Sequence, residues 1–215
     1  MSNLQTRIIT AIVLGAAALW LTWVGGLGFT LFSIAIGLAM FHEWTSLTAS
    51  KQTSFSRLFG WGWLLLTSIL LVMDRSALLT IGVLLAGTLV LLFTQWRAGR
   101  GWPAAGLFYA GFSAISLSLL RGDEPFGFTA IVFLFAVVWS TDIAAYFNGR
   151  ALGGPKLAPR FSPNKTWSGA IGGAAAAVAG GILVASLVAP GSWLVPLLAL
   201  LLSIVSQIGD LAESW

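Results

Sequence analysis

Residues 126–147 read FGFTAIVFLFAVVWSTDIAAYF, and residues 148–167 continue as NGRALGGPKLAPRFSPNKTW. The first string is almost wholly apolar as far as Trp139 and long enough for a helix crossing ~30 Å of hydrocarbon, which takes ~20 residues. The second holds Arg150, Lys156, Arg160 and Lys165 and no acid, and Gly153-Gly154 with three prolines shape it as a non-helical loop. A membrane span that delivers the chain into a basic loop decides the fold, because runs of the same kind continue toward both ends.

Before it, apolar runs occupy Ile8–Val24, Gly26–Phe41, Leu58–Met73, Ala77–Thr94 and Trp102–Leu120; after it come Ser168–Ala189 and Ser192–Glu213. They predict an all-α, polytopic integral membrane protein of about eight transmembrane helices. The second and third runs are short for a span, which a smaller tilt or local bilayer thinning accommodates. A β-barrel is excluded, since the runs are too long and do not alternate apolar with polar. Residues 1–125 read as N-terminal membrane helices, and residues 126–215 as a catalytic-type membrane region with a cytoplasmic loop at 148–167.

Composition excludes the other classes. The 215 residues are 58% hydrophobic and 8% charged, with a mean hydropathy of +0.92. A soluble domain is about 25% charged, and a disordered chain carries far less apolar surface. Zero cysteine rules out a disulfide scaffold and a thiolate metal or redox site. The net charge of +4 is scattered between apolar runs and makes no basic patch, so the expected partner is the lipid bilayer and no nucleic acid.

Tryptophans mark the interfaces. Trp20, Trp23, Trp44, Trp61, Trp63, Trp96, Trp102, Trp167 and Trp193 fall near span ends, where amphipathic rings sit at headgroup level, and Trp139 lies well inside a run. With the N-terminus inside, the inner loops hold Arg7, Lys51, Arg57, Arg97, Arg100, Arg150, Lys156, Arg160 and Lys165, and the outer loops only Arg75 and Arg121. The positive-inside rule therefore places both ends in the cytoplasm. Arg7 and Ala16-Ala17-Ala18 faintly resemble a signal peptide, but the apolar run continues through Leu21 and reads as a retained helix.

Chemistry is sought where polar groups interrupt apolar spans, because ionisable groups at membrane depth are costly and usually functional. Ser140-Thr141-Asp142 is one such place, with Tyr146 a turn further on; the bland reading is an aspartate bonded to a neighbouring helix. The basic loop is the second. Its end reads as a helix start, with Ser162 as N-cap, Pro163 at the first helical position and Lys165 in the first turn. A cation there opposes the helix dipole unless an anion compensates, which points to phosphate; the bland reading is a loop holding anionic lipid headgroups. In the last span Ser203, Gln207, Asp210 and Ser214 recur on one face, with Glu213 beside them, and such a carboxylate next to phosphates suits Mg²⁺. Carboxylates for a metal and cations for phosphates at one face suggest phosphoryl or nucleotidyl transfer. His42-Glu43 reads as an interfacial pair, since the chain has one histidine, and Gly172-Gly173 and Gly180-Gly181 read as close helix packing.

The strings then become specific. Asp142-x-x-Ala145-Tyr146-x-x-Gly149, followed by Lys156-Leu157-Ala158-Pro159-x-x-Ser162-Pro163-x-Lys165-Thr166-Trp167-x-Gly169 and by Gly209-Asp210-Leu211-x-Glu213-Ser214, resembles the bacterial phosphatidate cytidylyltransferases, or CDP-diacylglycerol synthases. The match runs from about Trp139 to the C-terminus; the first ~125 residues agree in hydropathy and span number. The resemblance implies a nucleotidyltransferase of phospholipid biosynthesis in the cell inner membrane, facing the cytoplasm, that joins CTP to phosphatidate and releases pyrophosphate with Mg²⁺. It implies a homodimer. It makes Asp142, Lys165 and Asp210 catalytic, gives the metal to Asp210, and gives phosphate binding to Lys156, Arg160, Ser162, Lys165 and Thr166. Phosphatidate brings its own anionic nucleophile, so positioning and charge neutralisation can supply most of the acceleration without a separate general base.

Two other readings stay open: a transporter of a small solute or lipid, with Asp142 and Asp210 as coupling sites, and a CTP-dependent lipid kinase that transfers the γ-phosphoryl group. The family's most diagnostic string, with K-R and K-D pairs, an H-G-G turn and a D-R-x-D set, comes after G-D-L-x-E-S, and this chain stops at Trp215. The expectation is a truncated family member, inactive or nearly so by itself. Reading ~60 codons past Trp215 in all three frames checks it: one frame should encode those elements, and their absence from every frame would mark a chain that ends here by nature.

Overall fold

A backbone surrounded by hydrocarbon has to satisfy its own hydrogen bonds, which turns each apolar run into a helix. A computed structural model of the chain describes residues 3–96, 101–123, 125–160, 162–187 and 192–213. Arg97 and Arg100 of the inner-loop set and Ser214 of the polar stripe lie outside them. The helices are α1 (Asn3–Val24), α2 (Gly26–Leu47), α3 (Ser54–Val72), α4 (Ala77–Trp96), α5 (Trp102–Arg121), α6 (Pro125–Leu152), α7 (Trp167–Ser186) and α8 (Leu194–Glu213). Between α6 and α7 lies an antiparallel hairpin of β1 (Lys156–Ala158) and β2 (Ser162–Thr166), which pairs Lys156 with Thr166 and Ala158 with Ser162. Among the described residues seven helices are long and apolar enough to cross a membrane; in α1 the apolar part, Ile8–Val24, is shorter. The chain is a multi-pass, all-α membrane protein with one small hairpin.

Several sequence expectations change. The second span continues past Phe41 to Leu47, and the third begins at Ser54 rather than Leu58, because Thr53 and Ser56 close a capping box there. The sixth helix runs on through residues 148–152, where the loop's glycines and prolines predict non-helical chain. The helix start at Ser162-Pro163 is overturned: those residues are in β2, and Thr166 is the N-cap of α7. Proline fits either reading, since it lacks the N–H that a first helical turn and a short outer strand both leave unused. Lys165 therefore precedes the helix instead of sitting in its first turn.

The chain divides into two compact units, Met1–Phe128 and Thr129–Trp215. In the first, Phe41, Leu64, Leu84, Leu91, Leu107 and Ile115 form the core, and many other large apolar side chains face outward, where a soluble protein would place charge. Buried polar groups are mostly hydroxyls that bond back along their own helix, such as Thr67 to Trp63 O (2.9 Å) and Ser68 to Leu64 O (2.8 Å). Trp44, near the end of α2, and Trp63, which lies at the middle of α3 and not near a span end as expected, pack between helices. Their rings lie over Gly106 and Gly87, leaving no room for a Cβ, and their indole N–H groups donate to Trp102 O (2.9 Å) and Val83 O (2.5 Å).

Arg121 departs furthest from expectation. Read as an outer-loop charge, it is 9% exposed at the end of α5. Its Nε donates to Thr22 O (2.6 Å), its Nη1 to Gly122 O (2.9 Å) and its Nη2 to Trp23 O (3.4 Å). Thr22 and Trp23 are the end of α1, where carbonyls have no further N–H and the dipole is negative, so a cation satisfies both. Gly25, at φ +67°, leaves the space that the guanidinium fills. Arg121→Met strands these carbonyls and should cost on the order of 2–4 kcal/mol, read as a lowered unfolding midpoint in detergent. Arg121→Lys should recover only part of it, since a point donor cannot span two carbonyls; unchanged melting in both would show that the contacts contribute nothing.

Candidate active site

The site lies in the second unit and starts from small residues. On α7 the buried positions are Gly169, Gly173, Ala177 and Gly181, four residues apart on one face. A Cβ on Gly169 would stand 2.7 Å from Ala145 O and 3.3 Å from Gly149 Cα; one on Gly173 would stand 2.8 Å from Thr141 O. The backbones of α6 and α7 are therefore in direct contact, the approach that small-xxx-small spacing permits where lipid removes the hydrophobic drive for helix association. α8 joins them through Ala199 against Gly181 and through a polar chain. Thr141 Oγ1 lies 2.8 Å from Val137 O and 2.9 Å from Ser203 Oγ, both hydroxyls being fully buried. Gln207 Nε2 donates to Ser203 Oγ (3.2 Å) and to Ala170 O (3.3 Å), so one run of hydrogen bonds links all three helices.

The hairpin is held at its base. α6 ends at Gly153 and Gly154, both at positive φ (+59° and +102°), which glycine adopts without strain. The Ser168 hydroxyl donates to Gly153 O, and Trp167 N–H donates to Pro155 O at 3.0 Å. Thr166 Oγ1 accepts from Gly169 N–H (3.1 Å) and lies 3.0 Å from Ser168 Oγ. Lys165, next to that cap, is thereby fixed over the ends of α6 and α8.

These elements enclose a cleft of about 590 Å³. Asp142, Tyr146 and Arg150 line it from α6, Asn164, Lys165 and Thr166 from β2, and Gln207 and Asp210 from α8. Lys165 Nζ is 3.2 Å from Asp210 Oδ2, with the side chains 32% and 49% exposed. At that exposure the pair is worth about 1 kcal/mol or less and can open for a ligand. Asp142 interacts electrostatically with both Asp210 and Lys165.

Of the residues singled out from sequence, Thr141, Asp142, Tyr146, Lys165, Thr166, Gln207 and Asp210 meet in this cleft. Lys156 and Arg160 are exposed on the hairpin and Ser162 is half-buried on β2; none of the three lines the cleft. Arg150 and Asn164 do line it and had not been selected. Arg150 was counted only as a loop charge, and its place on a continuing helix, two turns after Asp142, is the signal that could have found it. Glu213 is the last described residue of α8, and His42 and Glu43 are exposed at the end of α2. Among the described residues no three His, Asp or Glu side chains cluster as a metal site.

Fold and cleft define a polytopic membrane protein with paired carboxylates and cations gathered at one end of a helix trio. The chain belongs to the cytidylyltransferase family, whose model matches residues 5–215, and it is a nucleotidyltransferase by that membership. It is 85% identical over 216 residues to a phosphatidate cytidylyltransferase of Brucella suis, covering all of this chain and 80% of that protein. The Bacillus subtilis protein of the same name is 33% identical over 229 residues, covering all of this chain and 84% of its own length. The Haemophilus influenzae one is 30% identical over 201 residues, with 79% and 68% covered. No solved structure matches significantly.

Gly169→Ala should force α6 and α7 apart, because the obstacle is a backbone carbonyl rather than a flexible side chain. A loss of about 1–3 kcal/mol is expected in unfolding measurements. Gly62→Ala, where a Cβ meets nothing within 4 Å, should be neutral or stabilising by up to about 1 kcal/mol. Equal effects at the two positions would mean that the seam is not tight.

Proposed function

We propose that this protein is a phosphatidate cytidylyltransferase, converting CTP and phosphatidate to CDP-diacylglycerol and pyrophosphate. The observation that carries the reading is the cleft in a chain of this family: two carboxylates, Asp142 of α6 and Asp210 of α8, gathered with Lys165 of the hairpin. A phosphate oxygen of phosphatidate attacks the α-phosphorus of CTP; that P–O bond forms as the bond to the β-phosphate oxygen breaks, and pyrophosphate departs. The attacking oxygen is already anionic, so no proton has to be removed. Lys165 can leave Asp210 for phosphate oxygens and offset the charge gathered by two anionic substrates. Thr166, whose hydroxyl caps α7, acts by holding Lys165 in place. Lys156 and Arg160, exposed beside the cleft, attract anionic headgroups toward it; Ser162 supports the hairpin opposite Ala158.

Mg²⁺ belongs to the proposal. The donors fit it: Asp142, Asp210 and the Gln207 amide offer hard oxygen ligands, and Mg²⁺ usually takes one or two carboxylates and completes its shell with water and substrate phosphates. Asp210 keeps one oxygen outside its ion pair with Lys165. When bound, the ion would neutralise phosphate charge and favour pyrophosphate as a leaving group.

The cleft faces the cytoplasm of a bacterial inner membrane in this proposal, on the strength of the basic hairpin at its rim and the positive-inside rule. A homodimer is carried over on the resemblance alone. Against the transporter reading stands family membership: the matching family model and the named relatives are cytidylyltransferases. Membranes holding the protein expressed from its complete gene, given CTP, phosphatidate and Mg²⁺, should form CDP-diacylglycerol and pyrophosphate. Asp142→Asn and Asp210→Asn should each lower kcat/KM by about 10²–10³. Products of CDP plus a newly phosphorylated lipid would establish the kinase reading, and solute uptake without nucleotide consumption the transporter.

A further inference from the structure

We propose that Arg150, held by Tyr146, is the first phosphate anchor of the cleft. The inference rests on the cytidylyltransferase reading of the same site and adds a binding residue that no motif above includes. α6 has 28 residues, about 42 Å of helix, against ~30 Å of hydrocarbon, so a helix of this length projects past the bilayer core. Arg150 lies in its last turn, where Nη1 donates to Tyr146 Oη at 3.0 Å, and both side chains are exposed and line the cleft.

Charge balance singles out this residue. The cleft holds Asp142, Asp210, Lys165 and Arg150. Lys165 is already paired with Asp210, the one ion pair among the described side chains. Asp142 feels that same pair. Arg150 has no carboxylate within ion-pair distance among the described side chains, so an arriving phosphate meets it without first breaking a salt bridge to any of them. Tyr146 occupies one N–H of the guanidinium and fixes its plane, leaving further N–H donors in the fork that fits two phosphate oxygens. Phosphate could come from the triphosphate tail of the nucleotide or from the monoester head of phosphatidate; the chemistry recognised is the same.

The competing role is plain: an arginine in a last turn offsets the C-terminal dipole and anchors a span at the headgroups. Lysine would serve that role equally but lacks the fork. Binding of CTP, CMP, pyrophosphate and phosphatidate, the last in nanodiscs, is therefore measured with Mg²⁺ on the protein expressed from its complete gene. Arg150→Gln should weaken phosphate ligands by about ten- to a hundredfold, Arg150→Lys should recover only part, and Tyr146→Phe should lose a few-fold. Weakened CTP and pyrophosphate with unchanged CMP assigns Arg150 to the triphosphate tail; weakened phosphatidate alone assigns it to the lipid head. Unchanged binding in Arg150→Gln, full recovery by lysine, or no phosphate ligand bound by the unaltered protein overturns the proposal. Should Arg150→Gln fail to fold, the lysine and phenylalanine variants decide. Pyrophosphate bound through Arg150 without any CTP binding would sink the cytidylyltransferase reading and leave the anchor standing; CTP bound equally with and without Arg150 would do the reverse.

Discussion

Direct backbone contact between α6 and α7 is the constraint on which the cleft depends. Two helices in lipid gain nothing from burying leucine against leucine, because the acyl chains are equally apolar. They associate when small residues let van der Waals contact and hydrogen bonds form at short range. Gly149, Ala145 and Thr141 on α6 meet Gly169 and Gly173 on α7 in that way. α6 carries Asp142 and Arg150, while the hairpin that leads into α7 carries Lys165. A larger residue in this seam would move one wall of the cleft against the other, whatever happened to the charged side chains themselves.

The polar chain from Thr141 through Ser203 and Gln207 to Ala170 adds a constraint of a different kind. It fixes the rotation of α8, since a helix turned by one residue would carry Ser203 and Gln207 away from their partners and leave the Thr141 pairing unmade. Asp210 comes one turn after Gln207, so the rotation that satisfies the buried hydroxyls also aims this carboxylate at Lys165. The structural and the chemical residues of α8 share one stripe: Ser203 at its buried end and Asp210 at its exposed one. Of the stripe's described residues, Gln207 and Asp210 line the cleft and Ser203 is buried beneath it.

Span number and helix type were legible from long apolar runs and Asp142 and Asp210 from polar groups inside such runs, while Lys165 and Thr166 stood out through the basic loop and the family string around them. The hairpin was not. Strands of three and five residues carry no periodicity, and Ser-Pro before a lysine satisfies the rules for a helix start as well as those for an edge strand. Arg121 was misread for a related reason. A charge at the end of a span looks the same in sequence whether it faces water or caps the neighbouring helix, and its partners, Thr22 and Trp23, are about a hundred residues away. Trp44 was half legible, since it does lie near the end of α2, whereas Trp63 lies at the middle of α3; the glycines opposite both rings belong to other helices.

Gathering the charged groups beside the hairpin, where α6 leaves off and α7 begins, resolves a physical conflict in the proposed reaction. One substrate is a triphosphate, which cannot enter hydrocarbon, and the other is a phosphate whose tails cannot leave it. Their reacting atoms can meet only at the headgroup level, within a turn or two of where helices emerge. There the medium is polar enough for ionised side chains to persist and sufficiently poor in water for their attractions to matter. A cleft cut between α6 and α8 and lined by a short basic hairpin satisfies both requirements. The outward faces of the same helices, rich in Leu, Ile and Phe, keep the lipid tails solvated while the head reacts.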